Sequence, residues 1–171
     1  MRSIVKTNPQ PDRQQSTVHN TFVLERRFTQ TPQRVFAAFA DPAKKRRWFS
    51  DESQHEVEKF EAEFRVGGFE RFIYRMKPGT PIAGETISSM GCYLDIVENQ
   101  RIVSASTMVL NEKPISAALV TIELFPSAEG TNLICTHQGA FFQGADGPQM
   151  RHEGWRALFE KLAKALESEP E

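Results

Sequence analysis

HEGWRALFEKLAKAL, residues 152–166, repeats large apolar side chains at helical spacing: Trp155, Leu158, Phe159, Leu162 and Leu166 share one stripe, with Glu and Lys opposite. The pattern predicts an amphipathic C-terminal helix of about 16 residues. Nearly everything before it has a different period. In TVHNTFVLERRF, residues 17–28, Phe22, Leu24, Arg26 and Phe28 lie on one side of a strand, because successive side chains alternate. Strand character returns at 54–62, 69–76, 87–98, 101–110, 115–126 and 131–140, which makes seven strands. Short turns such as Val66-Gly67-Gly68, Lys77-Pro78-Gly79 and Glu98-Asn99-Gln100 join neighbours and favour an antiparallel meander. A sheet with one face rich in Phe, Tyr, Leu and Ile needs a cover, and the C-terminal helix is the only sizeable candidate.

Two further helix starts follow the first strand. Thr31-Pro32 and Asp41-Pro42 each place a capping oxygen before a proline in the first turn, where the missing N–H costs nothing. Val35, Phe36 and Phe39 form the apolar stripe of the first helix, and Trp48 and Phe49 close the second. The cations Lys44 to Arg47 between them read as a solvated face.

The expected fold class is therefore α+β: a seven-stranded curved antiparallel sheet gripping a long C-terminal helix, with two short helices after the first strand. At 171 residues one domain is expected, spanning 17–168, after a disordered leader at 1–16 that is polar and proline-bearing. The balance of 21 Lys+Arg against 22 Asp+Glu gives a net charge of −1, without the basic excess that phosphate neutralisation demands, so no nucleic acid is expected. No apolar run is long enough to span a membrane, and the cytoplasm is the default location. Cys92 and Cys135 stand alone, without metal-ligand spacing, and read as two buried thiols. Neither a metal nor a common cofactor is signalled, since phosphate loops, dinucleotide fingerprints and nucleophile elbows are missing.

The order of elements and five motifs resemble the helix-grip, START-like superfamily, called SRPBCC, which includes steroid-transfer domains and polyketide cyclases. The motifs are ERRF…TPQRVFAAFADPAKKRRWF at 25–49, EFRVGGFERF at 63–72, GCYLDIVENQRIV at 91–103, GTNLICTHQGAF at 130–141 and HEGWRALFEKLAKAL at 152–166. Within the superfamily the sequence is most similar to the family of the C-terminal domain of the activator of heat shock protein 90 ATPase. The resemblance implies a space between sheet and helix that often holds an apolar ligand. It also implies two alternatives: regulation of a chaperone ATPase through the surface, and a cyclase- or hydratase-like enzyme. The chaperone activator carries a separate N-terminal domain to which nothing in this sequence corresponds.

Strand parity nominates the residues of such a cavity. Leu133, Cys135 and His137 form one row, Phe72, Tyr74 and Met76 a second, and Ile102, Ser104, Ser106 and Met108 a third. Trp155 and Phe159 face them from the helix. Apolar walls with a few directional hydroxyls make a binding pocket, although a slip of one residue would turn Ser104 and Ser106 to solvent. His137 reads either as a satisfied core histidine or, with Tyr74, as the acid–base group of an enzyme. His152 reads as a surface histidine or as a group near the cavity mouth. Arg26 shares parity with apolar neighbours, so it needs a carboxylate such as Glu70, a rim position or an acidic ligand.

Overall fold

A computed structural model describes residues 17–50 and 52–169. The leader expected at 1–16 lies outside the described residues. The chain runs β1 (Val18–Phe28), α1 (Pro32–Ala40), α2 (Pro42–Phe49), β2 (His55–Ala62), β3 (Phe69–Met76), β4 (Thr86–Val97), β5 (Arg101–Leu110), β6 (Lys113–Ser127), β7 (Gly130–Phe141) and α3 (Gly147–Ser168). All seven strands belong to one sheet of order β1-β7-β6-β5-β4-β3-β2, and every neighbouring pair is antiparallel. The expected meander thus runs from β2 to β7, and β1 adds to the far side of β7. The α1–α2 segment carries the chain from one edge of the sheet to the other.

The first two helices begin where Thr31 and Asp41 supply a cap. Asp41 closes α1 through its own N–H on the Ala37 carbonyl at 3.0 Å and opens α2 by accepting from the amides of Ala43 and Lys44 at 2.8 and 3.2 Å. One aspartate thus produces the kink between the two helices. At the far end of α3, Arg34 donates to the Glu169 carbonyl at 3.0 Å, placing a cation on the last turn where the helix dipole is negative. The C-terminal helix spans 22 residues, longer than the apolar stripe implies. Its first two turns are fixed by a polar contact of Arg151, described below, and apolar periodicity does not register such a contact.

The core lies between the sheet and the three helices. Val35, Leu133, Cys135 and Leu162 are fully buried, and Trp48, whose indole N–H donates to the Ala38 carbonyl at 2.9 Å, is almost so. Phe159 and Leu166 of α3 complete the same cluster. Gly154 meets nothing within 4 Å of a built Cβ and is exposed, so close packing of helix on sheet does not depend on it. Because Leu162 is enclosed on all sides, Leu162→Ala is expected to remove about 3 kcal/mol of stability, through lost transfer energy and an unfilled cavity. Exposed Glu167→Ala on the same helix should stay within about 0.5 kcal/mol. Urea denaturation of the two variants checks this, and a Leu162→Ala loss below about 1 kcal/mol would contradict the packing described.

Candidate functional site

The registers settle which rows face the helix. Phe22 pairs with His137, His137 with Val120, Val120 with Ser104, and Ser104 with Tyr93, so all five point to the interior side. Ser106 and Met108 follow Ser104 on that side, opposite Ala118 and Ser116. Phe72 is buried, and Tyr74 and Met76 are half-buried in the same row of β3. Trp155 and Phe159 project from α3 with ring centroids 5.7 Å apart.

A small void of about 30 Å³ between sheet and helices is lined by Phe39, Lys45, Trp48, Phe49, Phe64, Tyr93, Ile102, Ser104, Val120, Ile122 and Trp155. Of the residues nominated from the sequence, Ile102, Ser104 and Trp155 line it. Its polar wall is a connected group: Lys45 Nζ and Tyr93 Oη both donate to Oε2 of Glu70. Lys45 is 8% exposed and Tyr93 3%, whereas the Glu70 side chain keeps 20% of its surface, so the pair is buried at its cation and open to solvent at its carboxylate. Aromatic faces complete its surroundings, with Lys45 Nζ 5.0 Å from the centre of the Phe49 ring. Burial, followed by the charge of Glu70 and its hydrogen bond, pushes the Tyr93 hydroxyl well above the usual phenol range, so it remains a donor.

A second polar group lies four residues further along three strands, at Tyr74 rather than Glu70, Met108 rather than Ser104, and Ser116 rather than Val120. At about 3.3 Å per residue the two groups are about 13 Å apart. Here Arg151 of α3 reaches inward. Its Nε and Nη2 each donate to Asp146 at 2.7 Å, Nη2 also donates to Ser116 at 2.9 Å, and the guanidinium lies 5.2 Å from the centre of Phe141. His137 stands in the same region, 1% exposed and stacked on Phe22 at 4.6 Å. Its Nδ1 is buried without a hydrogen-bond partner. His152 meets the other side of Phe22 edge-on at 5.1 Å.

Arg26 is not a cavity residue in contact with Glu70. It makes a two-pronged bond to Glu160 of α3, Nη1 to Oε1 at 2.6 Å and Nη2 to Oε2 at 2.9 Å, at the partly exposed rim where β1 meets the helix. Glu70 is taken up by Lys45 and Tyr93, which lie nearer on the inner side. Cys135 is buried, its thiol pushed up to about 12 by burial, whereas Cys92 is half-buried and lines a shallow groove on the other face of the sheet. That groove, of about 710 Å³, runs across β1, β7, β6, β5 and β4 over small residues including Ala105, Ala117 and Ala140. Among the described residues no group of His, Cys, Asp and Glu is placed to hold a metal, and no helix is long and apolar enough to cross a membrane.

Burial, reinforced by the Arg151 charge, lowers His137 to about 4, and burial raises Tyr74 to about 12, so both are neutral at pH 7.

These features define an α+β helix-grip domain with polar side chains held in an otherwise apolar grip. The chain belongs to the family described as Activator of Hsp90 ATPase homolog 1-like protein, whose model matches residues 29–167. It is similar to an uncharacterized protein from Rhizobium leguminosarum, at 33% identity over 90% of this chain and 98% of that one, with a TM-score of 0.81. The Mll3558 protein from Rhizobium loti is 44% identical over 88% and 99% of the two chains, with a TM-score of 0.77. An AHSA1-like protein from Aeromonas hydrophila shares the fold at 17% identity, covering 87% and 93% of the chains with a TM-score of 0.64. No curated protein matches the chain.

The lowered His137 has a thermodynamic sign. The unfolded chain takes up the proton near 6.5 and the folded one only near 4, so His137 contributes stability above pH 6.5 that is lost as pH falls towards 4. Replacing it with phenylalanine, which preserves the stack on Phe22, should flatten the pH dependence of the urea midpoint across that window. An unchanged slope would show that His137 is not held neutral.

Proposed function

We propose that this protein is a small-molecule binding module whose ligand, an apolar or amphipathic compound, enters the grip between sheet and α3 and hydrogen-bonds to the Lys45–Glu70–Tyr93 group. The observation that carries this reading is a largely buried cation and a hydroxyl, both bonded to one carboxylate, set against aromatic rings beside a small void between sheet and helices. Buried ion pairs contribute little net stability compared with apolar residues of the same shape, so folding alone does not account for this one. The void of about 30 Å³ admits one or two waters, and a ligand therefore displaces the half-buried Phe49 and Trp155 rings as it enters. Such a ligand is small and carries a polar head.

The test is native mass spectrometry and thermal melting against a panel of aromatic and aliphatic alcohols, amides and acids. Tyr93→Phe leaves the ring against Phe64 and removes only the hydroxyl, so it should fold while losing about five- to tenfold in affinity, the worth of about one hydrogen bond. A melting temperature unmoved by the whole panel would sink the proposal.

A second reading, regulation of a chaperone ATPase through the outer face, is supported by the family's description and by the groove on the back of the sheet, where Met90 is half-exposed. It predicts co-elution with the cognate chaperone at tens of micromolar, a strength ordinary for transient partners. Separate elution at that concentration would remove it.

A further inference from the structure

We infer that the Arg151 end of the grip is a carboxylate-recognition site, in which an organic acid with an aromatic or apolar body binds Arg151 in the place now taken by Asp146. The inference rests on the ligand-binding reading and goes beyond it to the other end of the grip, and it names a chemical class: acids of the phenylacetate type.

Arg151 falls at the start of the α3 stripe, four residues before Trp155, and is 9% exposed. A guanidinium brought inside requires an anion, and its planar fork is matched by a carboxylate. The anion present comes from the adjacent loop rather than from the core. Asp146 occupies the N-cap position of α3 but makes no side-chain cap bond, because its carboxylate is turned onto Arg151. It lies between Gly144 and Gly147, whose φ angles of +89° and +82° suit glycine. A carboxylate carried on such a segment is displaceable without disturbing the sheet. Arg151 itself is held independently by Ser116 at 2.9 Å and by the face of Phe141. The guanidinium would therefore keep its position after the exchange.

The second observation is His137. It is 1% exposed, its Nδ1 has no partner, and it stands close enough for the Arg151 and Asp146 charges to act on it. A buried ring nitrogen without a partner costs about 1–3 kcal/mol, and a ligand oxygen or N–H arriving beside it would relieve that cost. Phe22 stacks on the imidazole and Trp155 packs edge-on against it at 6.3 Å, so the wall next to the charge is aromatic. A cation, an unpartnered imidazole and aromatic faces fit an aromatic acid better than a neutral lipid.

Calorimetric titration with benzoate, phenylacetate and 3-phenylpropionate, each beside its primary amide, tests the inference on wild type, Asp146→Asn and Arg151→Gln. The acids should bind at least tenfold more tightly than the amides. Asp146→Asn, which removes the competing charge while keeping the side-chain shape, should tighten acid binding about tenfold, the worth of one charge-assisted hydrogen bond. Arg151→Gln should abolish the preference for acid over amide; should that variant not fold, Asp146→Asn decides alone. Equal binding of acids and amides, or an acid affinity unchanged in Asp146→Asn, overturns the assignment and leaves the wider ligand-binding reading standing. If neither these compounds nor the alcohols bind any of the three proteins, both readings fall together.

Discussion

The structure depends on one constraint: a seven-stranded antiparallel sheet with a single apolar face has to be covered, and α3 is the only element long enough to do most of it. α3 lies against β1 and β7 and brings Phe159, Leu162 and Leu166 into the core, while α1 covers β6 and β7 and, with α2, closes what α3 leaves open through Phe36, Phe39 and Trp48. The sharp turn at Asp41 follows from that need. A straight helix of the combined length would cross the sheet at one place, whereas two short ones joined by a shared cap fold around the flank of α3.

Within that enclosure the polar side chains are concentrated rather than scattered. One group takes a cation from α2, a carboxylate from β3 and a hydroxyl from β4; the other takes a cation from α3, a carboxylate from its entry loop and a hydroxyl from β6. In both, the carboxylate neutralises the cation at short range, which is the condition for tolerating charge in a low-dielectric interior. His137 lies outside either hydrogen-bond network and is kept neutral by its burial. A core selected only for stability would fill these places with aliphatic side chains of similar volume.

The fold was legible because it rests on periodicity. The shift from period two to helical spacing after Pro148, the turn signals between strands and the paired Thr-Pro and Asp-Pro starts lead to the observed order of elements. Parity puts Ser104 and Ser106 in one row, but the pairing of β5 with β4 and β6 is what turns that row inward. The sites were less legible, because the polar residues that build them look ordinary in one dimension. Lys45 sits in a run of four cations that reads as a solvated face, yet it shares the α2 stripe with Trp48 and Phe49, three and four residues on, and that spacing was the available signal. Arg151 likewise stands four residues before Trp155, on the stripe of α3. Tyr93 alternates with Gly91 on the inner side, but its partnership with Glu70 depends on the pairing of β3 with β4, which no local pattern states. Parity likewise demands a carboxylate, a rim position or an acidic ligand for Arg26, but no local pattern names Glu160, 134 residues away in sequence, as its partner.

The position of β1 has a consequence for how the molecule comes into being. Its hydrogen-bonded neighbour is β7, and the pairing joins Val18 to Phe141, so the first strand synthesised waits for the last. Until β7 has emerged, Phe22, Leu24 and Phe28 have no sheet to join, while β2 to β6 can pair one after another as they appear. Closing so long a loop is entropically costly and slows folding in proportion to the share of distant contacts. Between the synthesis of β1 and that of β7, the chain therefore carries an unmatched, apolar-faced strand.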